Sequence, residues 1–67
     1  MRLKELREIK GWSQAKLAEE AKLSQSFIHY VETGKKDATS KIVVRLANAL
    51  GVSVSELLGE RDVKLNL

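Results

Sequence analysis

The residues best suited to chemistry in this 67-residue chain are uncharged hydrogen-bonding side chains that recur at helical spacing. On a helical wheel they occupy one arc of about 140°, at about 100° per residue. This polar face consists of Gln25, Ser26, His29, Tyr30 and Thr33. Such groups suit contacts to base edges in the major groove of DNA, where glutamine bonds adenine and rings touch the thymine methyl group.

Simpler interpretations exist for the same side chains. Gln25 and Ser26 could be solvated residues at a helix start, and His29 could face solvent without a partner. Phe27 lies at the border of the face, which favours packing over contact with thymine. His29 has no positioned nucleophile or carboxylate nearby in the sequence pattern, so it is not a catalytic candidate.

Two short helices must position this face. Ser13 and Ser24 are N-cap candidates for helices over about residues 14–21 and 25–33, because a serine hydroxyl accepts a free backbone N–H. Three residues, 22–24, join the two helices, and Ala18 and Ala21 are small enough for close packing. A short connection between two short helices predicts a helix-turn-helix.

Glycines at positions 11, 34, 51 and 59 divide the rest of the chain. Helical spacing predicts a first helix over residues 2–10, with Leu3, Leu6 and Ile9 on one face. A fourth helix is predicted from a cap at Thr39 or Ser40 to Leu50, with inward Val43, Leu46, Ala47 and Leu50. Residues 53–56 fit a capping box that opens a fifth helix, which runs to about residue 58.

The amino-acid composition excludes several classes of function. The chain has no cysteine and one histidine, so we expect no metal site, no cofactor and no thiol chemistry. It contains no catalytic triad, phosphate-binding glycine loop or apolar run of about 20 residues, so we expect neither an enzyme nor a membrane protein. No signal-peptide core is present, and we expect a cytoplasmic protein.

Charge is unevenly distributed. The net charge is +3, and residues 1–50 carry ten basic and six acidic residues. Residues 51–67 carry two basic and three acidic residues. If a polyanion binds, it is therefore expected to bind the first fifty residues.

Four segments together resemble a known family: GWSQAKLAEEA at 11–21, LSQSFI at 23–28, ETGK at 32–35 and RLANALGVSVSELL at 45–58. In order and spacing they resemble the phage-repressor (Cro/C1, xenobiotic-response-element type) helix-turn-helix family. The resemblance implies an all-α, five-helix, lambda-repressor-like DNA-binding domain over residues 1–59, with recognition helix about 25–33. It departs at position 22, where members often have glycine and this chain has Lys22. A non-glycine residue at positive φ costs about 1 kcal/mol, so the turn is expected to be either adjusted or mildly strained.

The family resemblance also implies residue roles. Gln25, Ser26 and Tyr30 would contact base edges, and the helical wheel adds His29 to this group. The residues implied to contact phosphates are Gln14, Thr33, Lys35 and Lys36, and Gln14 would also orient Gln25. Arg7 would pair with Glu32, which the wheel places where it must turn inward or meet a cation.

Near the end of the C-terminal segment 60–67, Val63, Leu65 and Leu67 alternate with Lys64 and Asn66. This is the period of a strand, and it predicts a short extended tail. It could be disordered, fold back on the domain, or pair with a second copy across a two-fold axis. In the dimerisation alternative, the interface consists of Leu58, Val63, Leu65 and Leu67.

The sequence thus predicts a bacterial or phage transcriptional regulator, most simply a repressor, which binds a palindromic operator in double-stranded DNA as a homodimer. The alternative function is a protein-interaction module, such as an antitoxin or coactivator domain. No small-molecule ligand is expected, since the chain is too short for a sizeable pocket.

Overall fold

A computed structural model describes residues 1–59, and within that range the chain forms five α-helices and no strand. The helices are α1 (Leu3–Ile9), α2 (Gln14–Ala21), α3 (Gln25–Glu32), α4 (Ser40–Leu50) and α5 (Val54–Leu58). The all-α, five-helix fold class predicted from the sequence is confirmed. The predicted tail pairing of Val63, Leu65 and Leu67 lies outside the described residues.

Hydroxyl side chains begin four of the helices. Each N-cap oxygen accepts the backbone N–H three residues later, at 3.0 Å for Ser13, Ser24 and Ser53 and at 3.3 Å for Thr39. Because the first turn of a helix leaves N–H groups without backbone acceptors, these caps explain where the helices start. Thr39, rather than Ser40, is the cap of α4.

The connection between α2 and α3 is a left-handed turn. Lys22 has φ 58° and ψ 47°, so of the two alternatives, an adjusted or a strained turn, the structure has a non-glycine residue in the strained left-handed conformation. The N–H of Leu23 closes the turn by donating to the carbonyl oxygen of Ala18 at 2.9 Å. Ala18 and Ala21 are both buried, and their small side chains allow α3 to pack closely against α2.

One apolar core joins the helices. Its buried members are Leu3, Leu6, Leu17, Ala18, Ala21, Ile28, Val31, Val43, Leu46, Ala47, Leu50 and Leu57. α2 packs against both α3 and α4, while α5 packs against α4 and α1. The backbone N–H of Arg2 donates to the carbonyl oxygen of Leu57 at 2.8 Å, which ties the start of α1 to α5.

Three details differ from the sequence predictions. α1 is one residue shorter at each end than the predicted range 2–10. Ile9 does not join the core and is 70% exposed, because α1 turns its last residue away from the packed helices. α3 ends at Glu32 rather than at Thr33, which serves as its C-cap. None of the helices within residues 1–59 is long and apolar enough to cross a bilayer.

Candidate nucleic-acid interface

The outward face of α3 carries the polar side chains that the sequence places together. Gln25, Ser26 and His29 are exposed, and Tyr30 is 38% exposed. With Gln14 from the start of α2, they line an open depression of ≈ 320 Å³. The opposite face of α3 is buried through Ile28 and Val31, so the core fixes which side faces outward.

Glu32, the one charged residue of α3, is turned away from this face. Its side chain is 2% exposed and accepts hydrogen bonds from Arg7 Nε to Oε2 at 2.7 Å and from Arg7 Nη2 to Oε1 at 3.1 Å. The structure thus brings Arg7 of α1 and Glu32 of α3 together in a two-bond contact. Paired donors of a guanidinium match the two oxygens of a carboxylate, which makes this geometry strong and directional.

The ion pair keeps both groups charged. Burial raises the pKa of Glu32, but the hydrogen bonds from Arg7 and Gln14 outweigh it and leave that pKa below its ordinary value. The hydrogen bond to Glu32 raises the pKa of Arg7 further, against the opposing effect of burial. A negative charge on α3 is therefore neutralised internally instead of facing outward.

Gln14 connects this ion pair to the outward face. Its Nε2 donates to Glu32 Oε1 at 3.0 Å, while the residue also lines the depression beside Gln25. That bond fixes which end of the amide points inward, and it leaves the amide oxygen and the second N–H for other partners. The sequence pattern gave no indication of this bond, because Gln14 and Glu32 are 18 residues apart.

The loop after α3 presents exposed cations. Lys36 Nζ lies 5.6 Å from the centre of the Tyr30 ring, within the range of a cation–π contact. The backbone N–H groups of Lys35 and Lys36 both donate to the Tyr30 carbonyl oxygen, at 2.8 and 3.2 Å. Because these backbone N–H groups already donate to Tyr30, an anion would bind Lys35 and Lys36 through their side-chain ammonium groups.

Thr33 is placed differently from the lysines. Its hydroxyl donates to the carbonyl oxygen of His29 at 3.0 Å, and its backbone N–H donates to the same oxygen at 3.0 Å. A contact between Thr33 and a phosphate therefore requires its hydroxyl to rotate away from α3.

Both helices also offer N-terminal backbone groups. Ser13 and Ser24 each cap the third N–H, while the first two N–H groups of α2 and α3 have no acceptor inside their helix. The positive end of each helix dipole adds to this, and together they favour an anion near Gln14 and Gln25.

Trp12 secures the segment before α2. The ring is half-buried against the core, and the carbonyl oxygen accepts a 2.7 Å bond from Arg7 Nη1. Lys10 Nζ and Lys16 Nζ lie 4.9 and 5.7 Å from the ring centre. The sequence predicts the packing of Trp12 but not its lysine neighbours, which depend on the turn between α1 and α2.

Of the predicted dimer-interface residues, the structure describes Leu58 alone. Leu58 is 38% exposed on α5, and Val63, Leu65 and Leu67 lie outside the described residues. Among residues 1–59 no three His, Cys, Asp or Glu side chains gather in a way that could hold a metal ion.

Comparison with known proteins gives two matches of interest. A family model described as helix-turn-helix matches residues 3–57. The chain is also 34% identical over 62 residues to the immunity repressor protein of Bacillus phage phi105. That alignment covers 92% of this chain and 43% of the phage protein, so the chain spans less than half of the relative's length. No solved structure matches the chain.

Proposed function

The chain belongs to the phage-repressor-like helix-turn-helix family, and from this premise we propose that it is a sequence-specific DNA-binding transcriptional regulator, a repressor. α3 is the recognition helix and enters the major groove of double-stranded DNA. The second helix of such a motif places its N-terminal residues against base edges, while the first helix crosses the backbone.

One observation carries this proposal: the outward face of α3 is polar and uncharged because Glu32 is held inside by Arg7 and Gln14. A carboxylate aimed into the groove would face the phosphates of both strands and weaken binding. The withdrawn carboxylate leaves a face composed of neutral donors and acceptors, which is what recognition of base edges requires.

We assign base contacts to Gln25, Ser26, His29 and Tyr30, because these exposed side chains share one face of α3. Gln25 and Ser26 belong to the first turn, where a recognition helix approaches the bases most closely. His29 and Tyr30 follow one turn later, with their ring centres 5.7 Å apart.

Phosphate contacts are assigned to the flanks of this face, at Gln14, Thr33, Lys35 and Lys36. The lysines provide charge, and Gln14 provides a polar group at the positive end of the α2 dipole. Contacts of this kind position a protein on the duplex without selecting its sequence.

We further propose that two copies bind a palindromic operator. Two-fold related recognition helices would then lie about 34 Å apart, one turn of B-DNA. The interface that we assign to this dimer consists of Leu58, which is exposed on α5, and of Val63, Leu65 and Leu67 in the C-terminal segment.

The division between base and phosphate contacts is testable with two variants on a duplex selected from a random pool. Gln25→Ala should reduce the preference for the selected duplex by about 1–3 kcal/mol and leave binding to random DNA unchanged. Lys36→Ala should weaken binding to every duplex and lower the salt slope by about one per protomer.

A matched control is Arg45→Ala. Arg45 is an exposed cation in a hollow formed with the C-terminal end of α2, at the end opposite Gln14. Its removal changes the net charge as Lys36→Ala does, but it should leave the salt slope unchanged. Equal losses for Gln25→Ala on selected and random DNA, or equal salt effects for Lys36→Ala and Arg45→Ala, would contradict the proposed interface.

A further inference from the structure

One side chain on the outward face of α3 can change its charge near neutral pH. His29 is the single histidine of the chain, which also has no cysteine. Histidine is the side chain whose change of charge ordinarily falls between pH 5 and pH 8. The charge of this face near neutral pH therefore depends on one ring.

The ring of His29 is placed to donate to a ligand. It is exposed, and it lines the depression together with Gln14, Gln25, Ser26 and Tyr30. The hydrogen bonds that His29 makes within residues 1–59 go through its backbone, which leaves both ring nitrogens free. Neutral imidazole has one N–H donor and imidazolium has two, so protonation adds a donor and a positive charge at this position.

No carboxylate of residues 1–59 lines the depression. The carboxylate of α3, Glu32, has a side chain that is 2% exposed and pairs with Arg7 of α1, with Lys4 of α1 also near enough to lower its pKa. On α2, Lys16 and Glu20 pair with each other at 2.9 Å, and neither they nor Glu19 reach the depression. The free protein thus places no anion where it would favour a charged ring.

The loop after α3 adds a cation on this side of the molecule. Lys36 Nζ lies 5.6 Å from the centre of the Tyr30 ring, and the centre of the His29 ring lies 5.7 Å from the same point. Like charges disfavour each other, so this lysine gives the free protein no reason to hold a proton on His29.

DNA reverses the electrostatic environment of the ring. A duplex carries one negative charge per about 1.7 Å of its axis. An opposite charge within about 4–6 Å favours the charged form of a titratable group. Phosphate oxygens and the purine atoms N7 and O6 also accept the hydrogen bonds that an imidazolium donates. A ring that enters the groove therefore meets surroundings that favour its protonated form.

Resting on the proposed function of α3, we infer that the protein takes up a proton at His29 when it binds DNA. The imidazolium donates to an acceptor atom of the duplex, and the proton leaves when the DNA is released. Because the bound state holds more protons than the free state, binding becomes tighter as the pH falls from about 7.5 to about 5.5.

The affinity for a duplex selected from a random pool is measured at both pH values and at constant salt. A tenfold preference of the proton for the bound state corresponds to about 5-fold tighter binding per protomer at the lower pH. Titration calorimetry in two buffers of different ionisation enthalpy should then show uptake of about half a proton per protomer near pH 7.

Variants assign the proton to its side chain. His29→Gln keeps a hydrogen-bonding group that does not titrate, so the pH dependence and the proton uptake should both disappear. Gln25→Ala is the matched control on the same face, and it should weaken binding but keep the pH dependence. An equal pH dependence on selected and random duplexes identifies a phosphate as the acceptor, and one confined to the selected duplex identifies a purine.

The ring can also be observed directly. A single histidine gives one Hε1 signal in the proton NMR spectrum, and this signal can be titrated in the free chain and at saturating duplex. It should change at a higher pH in the complex, and this measurement does not depend on the binding strength of His29→Gln.

Three results would overturn the inference. They are equal affinity of the parent at the two pH values, the same Hε1 titration with and without DNA, or a pH dependence that persists in His29→Gln. Each would leave sequence-specific binding by α3 intact. If no duplex is preferred over the random pool, the proposed function fails separately, and proton uptake is then judged from the pH dependence of binding to random DNA.

Discussion

Removal of Arg7 should destabilise the protein far more than removal of an exposed cation. In Arg7→Ala, Glu32 keeps a buried carboxylate with a 2% exposed side chain and loses two of its three hydrogen bonds. The Trp12 carbonyl oxygen loses its 2.7 Å donor as well. Breaking a buried ion pair by removal of one partner costs about 3–5 kcal/mol, mainly because the other charge is left buried and unpaired.

This loss is large for a domain of this size. At about 0.05–0.15 kcal/mol per residue, a 67-residue chain is stable by about 3–10 kcal/mol. Arg7→Ala should therefore remove a large part of the free energy of unfolding, and at the lower end of this range most molecules would be unfolded at 25 °C. Each kcal/mol lost should lower the Tm by about 4–8 °C.

Urea denaturation followed by circular dichroism measures the effect, with Lys16→Ala as the matched control. Lys16 pairs with Glu20 at 2.9 Å, but their side chains are 44% and 42% exposed. An exposed pair of this kind contributes about 0.3–0.5 kcal/mol. Glu32→Gln, which keeps the shape of the side chain, provides an intermediate perturbation if Arg7→Ala does not fold. The structural role of the ion pair would be refuted if Arg7→Ala and Glu32→Gln each lowered the free energy of unfolding by no more than Lys16→Ala does.

Three further predictions concern pH, the turn and the C-terminal segment. The pKa of Glu32 is lowered in the folded state, so its contribution to stability should be complete above its unfolded pKa of about 4.3 and should be lost as the pH falls through the folded-state pKa. When the free energy of unfolding is measured at decreasing pH, Glu32→Gln should lose less stability than the parent protein. Equal losses in the two proteins would contradict this prediction. Lys22→Gly should raise the free energy of unfolding by up to about 1 kcal/mol, because glycine adopts φ 58° without steric cost. The greater entropy of glycine in the unfolded chain offsets part of this gain. Lys22→Ala, measured by the same urea titration, should give no gain. Truncation after Gly59 should weaken the dimer in sedimentation equilibrium, and an unchanged dimer constant would exclude segment 60–67 from the interface.

Local sequence signals predicted most of the fold. The bounds of α2 and the inward residues of α4 follow from N-cap hydroxyls and helical spacing, which act within a few residues. No local signal predicted the left-handed conformation of Lys22, because the family resemblance left open whether the turn is adjusted or strained. Ile9 shows the limit of periodicity, because spacing alone does not tell whether a neighbouring helix extends far enough to cover a helix end.

The candidate interface was predicted only in part. A helical wheel groups Gln25 with Tyr30 because both belong to one helix. The bond from Gln14 to Glu32 and the position of Lys36 over Tyr30 depend on how separate segments pack, which no local pattern specifies. The roles of these side chains toward DNA remain predictions for the experiments above.

Chemical-shift mapping of the full chain with a duplex selected from a random pool shows whether α3 meets the DNA. The largest perturbations are expected at the outward residues of α3, Gln25, Ser26, His29 and Tyr30, with smaller ones at Lys36. Perturbations confined to the hollow around Lys22 and Arg45, with α3 unaffected, would contradict this expectation.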